Sequence, residues 1–270
     1  MDNLASERMN LNSKVDAMMG VIARGKAVCD LHGEHETITT KHSDKPSGCP
    51  TCARIRQDAQ DKIEQEQIVA GFKADRIEKK LGSALIPKRF AGKSFDDYQT
   101  ASPEQEKNLA ACRAYAADFD ANHKAGRCLL LLGRPGTGKT HLATAIAWKI
   151  MTETDHTAVY RTVGGILQLI KGSYGNESEY SEQEAYKAFT SPSLMIIDEV
   201  GATKPTEFEL TTLFAIINGR YEEQLPTIVI SNLQPSELGP VLGERSVDRL
   251  REGGGLALVF NWDSERRNLK

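Results

Sequence analysis

The segment 133–140, with the sequence Gly-Arg-Pro-Gly-Thr-Gly-Lys-Thr, is the feature that most constrains the fold. An apolar run precedes it and a helix-forming run follows it, which is the strand–loop–helix order of a phosphate-binding loop. Glycines let backbone N–H groups converge on phosphate oxygens, and the helix N-terminus adds the positive end of its dipole. We expect Lys139 to reach the β- and γ-phosphates of ATP, and the Thr140 hydroxyl to bind Mg²⁺. The predicted nucleotide-binding residues in and next to this segment are Gly133, Pro135, Gly136, Thr137, Gly138, Lys139, Thr140 and His141.

Short apolar runs alternate with helix-forming segments through the same part of the chain. This alternation predicts right-handed βαβ crossovers and a parallel sheet covered by helices on both faces. We therefore predict an α/β fold with a five-stranded parallel sheet, preceded by a small N-terminal helical and zinc-binding domain. The predicted strands are residues 128–132, 158–161, 194–198, 227–231 and 256–260.

Polar side chains are expected where two of these strands end. Asp198 and Glu199 close one apolar run, and Asn232 follows the next strand. Ligands of open α/β sheets bind at the carboxyl ends of the strands. We expect Asp198 to hold Mg²⁺ through water, Glu199 to act as the general base, and Asn232 to orient the attacking water or sense the γ-phosphate.

Composition and charge limit the classes of protein. The net charge is −3 and neither half is strongly basic, so any nucleic-acid contact must be a local patch. No run approaches the ~20 apolar residues of a membrane span, and the N-terminus lacks the pattern of a signal peptide. We expect a cytoplasmic protein without membrane contact, in which the five cysteines are not disulfide-bonded.

The N-terminal third differs from the rest in pattern. Residues 8–24 place apolar side chains at helical spacing, which predicts a docking helix, or a helix that packs on its own domain. Residues 54–80 alternate in charge, as in a solvated helix or in helices interrupted by Gly71. We place the boundary near residue 85, between an N-terminal region (1–85) and a nucleotide-binding domain (86–270).

Four residues of the N-terminal region have the spacing of a structural zinc site, namely Cys29, His32, Cys49 and Cys52. Two short turns can each supply two ligands, and a Cys₃His set closes a tetrahedron around Zn²⁺. His35 and His42 compete with His32 as the fourth ligand, and the alternative to a metal site is a set of buried unliganded thiols. Cys112 and Cys128 are expected in the core.

The order of the motifs resembles that of the helicase-loader branch of the AAA+ ATPases, the DnaC-type loaders. The matching segments are GRPGTGKTHLATAIA, LMIIDEVG, VISN, LGERSVDRLR and FNWDSERR, and the resemblance covers residues 86–268. It implies an AAA+ core that binds ATP with Mg²⁺ and hydrolyses it weakly, with stimulation by DNA or a partner. It also implies that Arg249 is an arginine finger for a neighbouring subunit, with Arg245 as the alternative, and that Arg266 is a second sensor.

The resemblance further implies three partners. These are other copies of the chain, single-stranded DNA, and a DnaB-like hexameric replicative helicase contacted through the N-terminal region. Arg161, Lys171 and Tyr174 are the candidate DNA contacts, since an aromatic ring can stack on a base and a cation can meet a phosphate.

Two other functions share this pattern of motifs. An IstB-type transposition helper ATPase has the same motif order and also assembles on DNA. A nucleotide-gated scaffold with negligible hydrolysis would need the phosphate-binding loop, but it would not need Glu199 or the arginine cluster.

Overall fold

The computed structural model describes residues 16–175 and 178–265. The chain divides into two compact units, Met1–Ala74 and Asp75–Lys270. The division falls within a long helix whose C-terminal end lies close to the boundary predicted near residue 85. None of the described helices has the length and apolarity that a membrane span needs.

The first unit contains an antiparallel hairpin that the sequence did not reveal. Strands β1 (Val21–Cys29) and β2 (Gly33–Thr40) pair across a short turn, where Gly33 adopts φ 75°. The predicted helix over residues 8–24 is therefore wrong at its C-terminal end, because residues 16–19 are helical but Ile22 belongs to β1. Its residues 8–15 lie outside the described part of the chain. Helix α1 (Pro50–Ser83) follows and runs through Gly71 without a break.

The second unit is built on a parallel sheet of five strands, which are β3 (Leu129–Gly133), β4 (Ala158–Thr162), β5 (Leu194–Val200), β6 (Thr227–Ser231) and β7 (Leu256–Phe260). Their order in the sheet is β4-β5-β6-β3-β7. The α/β fold with five parallel strands is thus confirmed, and each predicted strand is present to within two residues at either end.

Helices cover both faces of this sheet, because successive side chains of a strand point to opposite faces. The helices are α2 (Pro103–Ala117), α3 (Phe119–Lys124), α4 (Lys139–Glu153), α5 (Val163–Gly172), α6 (Glu182–Thr190), α7 (Glu207–Glu222), α8 (Gly239–Leu242) and α9 (Glu244–Arg251). Leu129 and Leu131 of β3 pack in one apolar layer with α2 and α4, whereas Leu130 and Leu132 pack in the other with α5, α6 and α7. The buried Cys112 and Cys128 are core residues, one in each layer.

A fully buried arginine joins α7 to the amino-terminal edge of the sheet. Arg220 Nη1 donates to the carbonyl oxygens of Phe189 (2.8 Å) and Pro192 (2.9 Å), and Nη2 donates to Pro226 O (2.6 Å). Its Nε donates to the Thr227 hydroxyl at 3.0 Å. Burial lowers the pKa of Arg220 to about 10, so the guanidinium remains charged at neutral pH. Hydrogen bonds to these oxygens offset the cost of burying that charge.

We predict that Arg220→Met lowers the free energy of unfolding by about 3–5 kcal/mol, because it leaves several buried carbonyl oxygens without a donor. Urea unfolding followed by circular dichroism measures the change. The control is Lys149→Met, which removes only the ion pair of Lys149 with Glu153 on α4 and should cost under about 0.5 kcal/mol. Equal effects of the two substitutions would contradict the interpretation.

Candidate functional site

The phosphate-binding loop joins the end of β3 to the start of α4, as its sequence requires. Gly136 and Gly138 adopt φ 78° and 90°, a region that L side chains rarely enter. A Cβ on Gly138 would collide with the Tyr98 ring, and a Cβ on Gly133 would collide with the backbone of Phe260. The glycines therefore serve both the turn and the close approach of neighbouring segments.

Lys139, the first residue of α4, has its ammonium held at the loop. Its Nζ donates to the carbonyl oxygens of Gly133 and Arg134 (both 2.7 Å) and to Asn232 Oδ1 (3.0 Å). The side chain is buried, although the charge lies at the carboxyl ends of β3 and β6. This arrangement places a cation where the loop would receive an anionic phosphate.

Asp198 and Thr140 meet beside the loop. Thr140 Oγ1 donates to Asp198 Oδ2 at 2.9 Å, and the Glu199 backbone N–H donates to Asp198 Oδ1 at 2.6 Å. A hydroxyl and a carboxylate at this separation are the ligand types that Mg²⁺ uses in nucleotide sites. The residues present therefore fit a Mg²⁺-nucleotide complex.

Glu199 differs from its neighbour in both exposure and backbone. Asp198 is buried, whereas the Glu199 side chain is exposed and its φ is 63°. The register of β5 with β6 shifts between Ile197 and Val200, which marks an irregularity centred on the acidic pair. A positive φ at a glutamate is strained, and such strain occurs most often at functional sites.

Tyr160 is a site residue that the sequence analysis missed. It lies on β4 and donates its hydroxyl to Asp198 Oδ2 at 2.8 Å. Burial raises the pKa of Tyr160, and the nearby Asp198 raises it further, so the phenol keeps its proton. A hydroxyl within an apolar strand is a weak signal, because spacing alone does not say which residue it faces.

Two further segments touch the loop from outside. The Tyr98 hydroxyl donates to Thr137 O at 3.0 Å, and the Tyr98 ring meets His141 edge-on. His141 Nε2 in turn contacts Ser94 O at 2.9 Å. The segment before α2 thus contacts the C-terminal half of the loop and the residue that follows it.

The chain after β7 contacts the same loop. The Glu265 backbone N–H donates to Gly136 O at 3.1 Å, and Gln105 Nε2 of α2 donates to Glu265 Oε1 at 2.9 Å. Arg134 forms an exposed ion pair with Asp263. The sequence analysis placed Arg266 in this segment, but that residue lies outside the described part of the chain.

The arginines of α9 lie in different surroundings. The guanidinium of Arg249 lies over the rings of Phe214 (4.9 Å) and Tyr221 (5.4 Å) of α7. Its Nη1 is buried and meets no hydrogen-bond partner among the described residues. Arg245, one turn earlier, is exposed. The structure therefore leaves both residues as candidates for the finger.

The candidate DNA contacts do not form one cluster. The Lys171 ammonium lies 5.2 Å from the centre of the Phe208 ring, and Tyr174 meets the same ring edge-on. The Tyr174 side chain is exposed, and its hydroxyl donates to Glu182 at 3.1 Å. Arg161 is half-buried and donates to Tyr160 O, where burial lowers its pKa. Lys171 and Tyr174 thus share one aromatic patch, which Arg161 does not join.

The first unit brings together the four residues expected to bind a metal. Their ligand atoms all lie within 4.8 Å of one another, and the remaining histidines of the region are not members of the cluster. His32 Nδ1 lies 3.2 Å from Cys52 Sγ and 3.7 Å from both Cys29 Sγ and Cys49 Sγ. A tetrahedral ion with bonds of about 2.3 Å to sulfur and about 2.0 Å to nitrogen would hold its ligands roughly 3.5–3.8 Å apart.

Local structure explains how these ligands converge. Cys29 ends β1 and His32 lies in the hairpin turn, while Cys49 and Cys52 flank the first residues of α1. The backbone N–H groups of Cys52 and Thr51 lower the pKa of Cys49 to about 6. A helix start therefore favours the thiolate, which is the form that binds a metal.

Comparisons with known proteins agree with the motifs. The family of IstB-like ATP-binding proteins matches residues 61–249. The replicative helicase loader DnaC of Buchnera aphidicola (from Acyrthosiphon pisum) is 31% identical over 211 residues, which is 78% of this chain and 84% of that protein. The DnaC loader of Escherichia coli K12 is 32% identical over 173 residues, 64% of this chain and 69% of that protein.

A solved structure supports the fold. The crystal structure of a DnaC helicase loader aligns with a TM-score of 0.58 at 23% identity, covering 65% of this chain and 100% of its own. The expected AAA+ core and the resemblance stated from the motifs are both confirmed by these matches. The chain therefore belongs to the DnaC/IstB-like family of AAA+ ATP-binding proteins.

Proposed function

We propose that this protein is an ATP-dependent loader that delivers a hexameric replicative helicase onto single-stranded DNA. The observation that carries the proposal is its 31% identity to a replicative helicase loader over 78% of the chain. The nucleotide site supports it, because Lys139, Thr140 and Asp198 stand at the carboxyl edge of the sheet. The identity to helicase loaders favours loading over a scaffold that only binds nucleotide.

We assign four roles in ATP hydrolysis to residues of this site. Lys139 would bind the phosphates, and Thr140 with Asp198 would hold Mg²⁺, which neutralises charge on the phosphates when it is bound. Glu199 accepts the proton of the attacking water, since it is the exposed carboxylate of the pair. Asn232 orients that water, and its contact with Lys139 Nζ supports this position.

The arginines of α9 complete the site of a second copy of the chain. We infer that self-association brings Arg249 or Arg245 to the γ-phosphate of the neighbouring subunit, where a guanidinium stabilises developing charge. Arg245 is exposed, and the buried Nη1 of Arg249 meets no hydrogen-bond partner within residues 16–175 and 178–265, which supports a role for these cations outside their own subunit. Separate alanine substitutions would assign the finger, because only its loss would lower turnover without weakening ATP binding.

We predict that Glu199→Gln lowers the ATP turnover rate by about 10²–10⁴-fold, because the amide does not accept the proton of water. Steady-state phosphate release measures the rate, and equilibrium binding of labelled ATP should change less than twofold. Glu223→Gln, at an exposed residue directly after α7, is the matched control and should leave the rate unchanged. Turnover by Glu199→Gln above half that of the wild type would refute the assignment.

Loading itself can be tested on closed circles of single-stranded DNA, onto which a closed hexamer cannot thread. We expect the protein with ATP to increase the amount of a DnaB-like helicase retained on circles, and Lys139→Ala to abolish the increase. Sedimentation of the DNA with bound helicase gives the measurement, and linear DNA is the control substrate. Retention no greater than with helicase alone would contradict loading, and association with a transposase instead would favour the IstB-type function.

We further propose that Cys29, His32, Cys49 and Cys52 bind Zn²⁺ as a structural ion. The donor set is that of closed tetrahedral zinc sites, and a hairpin with one helix has little core of its own. Thr37 and Cys49 are the buried residues described in this unit, which supports a need for metal. The zinc unit would belong to the N-terminal region that contacts the helicase.

We predict about one zinc per chain in the purified protein, because the four ligands close a single tetrahedron. Elemental analysis of full-length protein should show that Cys49→Ser loses the metal and that His35→Ala keeps it. His35 is the matched control, since it lies three residues after His32, on β2, and is not a member of the cluster. Wild-type protein free of zinc after growth in zinc-supplemented medium would refute the site.

A further inference from the structure

The Asp198 carboxylate receives three hydrogen bonds. The Glu199 N–H donates to Oδ1, while the hydroxyls of Thr140 and Tyr160 both donate to Oδ2. Two of these donors belong to the nucleotide motifs themselves. The third comes from a separate strand, which neither motif predicts.

Tyr160 is fixed independently of the phosphate-binding loop. The residue is 6% exposed and packs in the apolar layer beneath α4. Its backbone N–H donates to Ala84 O at 2.9 Å, and its strand pairs with β5 so that Thr162 lies opposite Asp198. A hydroxyl anchored in this way has little freedom to follow a carboxylate that turns.

Thr140 has a second role that competes with its bond to Asp198. In phosphate-binding loops the hydroxyl of this residue is a ligand of Mg²⁺, so it serves the ion when nucleotide is bound. The Tyr160 hydroxyl comes from a separate strand and has no such second role. Tyr160 is therefore the side-chain donor that can hold Asp198 in both states.

We propose that Tyr160 is a positioning residue that fixes the Asp198 carboxylate in the orientation that receives Mg²⁺. The inference rests on the ATP-binding part of the proposed function and does not depend on helicase loading. Loss of a residue that orients a metal ligand in this way typically lowers metal affinity by about 10–100-fold. A tyrosine hydroxyl that merely satisfied its own hydrogen bond would affect stability and leave the metal dependence unchanged.

The experiment compares Tyr160→Phe with Tyr115→Phe in the full-length protein. Tyr115 is a buried tyrosine of the same apolar layer, and its hydroxyl donates to Arg127 O at 2.7 Å, away from Asp198. Binding of a fluorescent ATP analogue is measured in EDTA and across a Mg²⁺ titration, and phosphate release is measured in parallel. Binding in EDTA also shows that each variant is folded.

For Tyr160→Phe we expect the Mg²⁺ concentration at half-maximal effect to rise about tenfold, with binding in EDTA within twofold of the wild type. Tyr115→Phe should change neither value. A Mg²⁺ midpoint within twofold of the wild type in Tyr160→Phe would overturn the proposal, as would wild-type binding that does not respond to Mg²⁺. Wild-type protein that binds Mg²⁺-nucleotide without releasing phosphate would count against the ATPase assignment alone. The Mg²⁺ titrations of nucleotide binding would still test the role of Tyr160 in that case.

Discussion

The hydrogen bonds of the Lys139 ammonium hold together the parts of the nucleotide site. They connect the last residue of β3, the next residue of the loop and Asn232 at the end of β6. These three acceptors are neutral oxygens, and they fix the position of the ammonium at the loop. The loop could not keep this shape without glycine at 136 and 138, where φ is positive. Thr140 and Asp198 contact each other beside this loop.

The sequence was sufficient for the sheet because every residue of β3 and β6 is buried and the strands read as continuous apolar runs. It was insufficient for the hairpin, since β1 is mostly exposed and lacks a regular apolar alternation. The β-branched run at 37–40 was the signal that could have indicated β2. Gly71 suggested a possible break in the helix, but α1 is continuous there. A solvated helix tolerates one glycine at a cost of about 1 kcal/mol.

Contacts between single side chains of the site were also only partly predictable from the sequence. Asp198 could be found because it ends an apolar run beside a recognisable loop, whereas Tyr160 could not. Their contact depends on the register of β4 with β5, in which Thr162 rather than Tyr160 is the partner of Asp198. Register is set by packing of both faces and by the crossover, which are tertiary properties. Long-range hydrogen bonds of this kind require a structure.

The irregularity at Glu199 explains how adjacent carboxylates can have different tasks. In a regular strand Asp198 and Val200 share one face, and Glu199 would point into the opposite layer. Here the strand is not regular, because Glu199 has a positive φ and the register with β6 shifts between Ile197 and Val200. The Ser231 hydroxyl donates a hydrogen bond of 2.6 Å to Val200 O, which holds the backbone after the irregularity. Such a backbone costs about 1–3 kcal/mol. The irregular backbone leaves Asp198 buried among hydrogen-bond donors and Glu199 exposed. That difference suits the proposed roles of Asp198 as a metal ligand and of Glu199 as a general base.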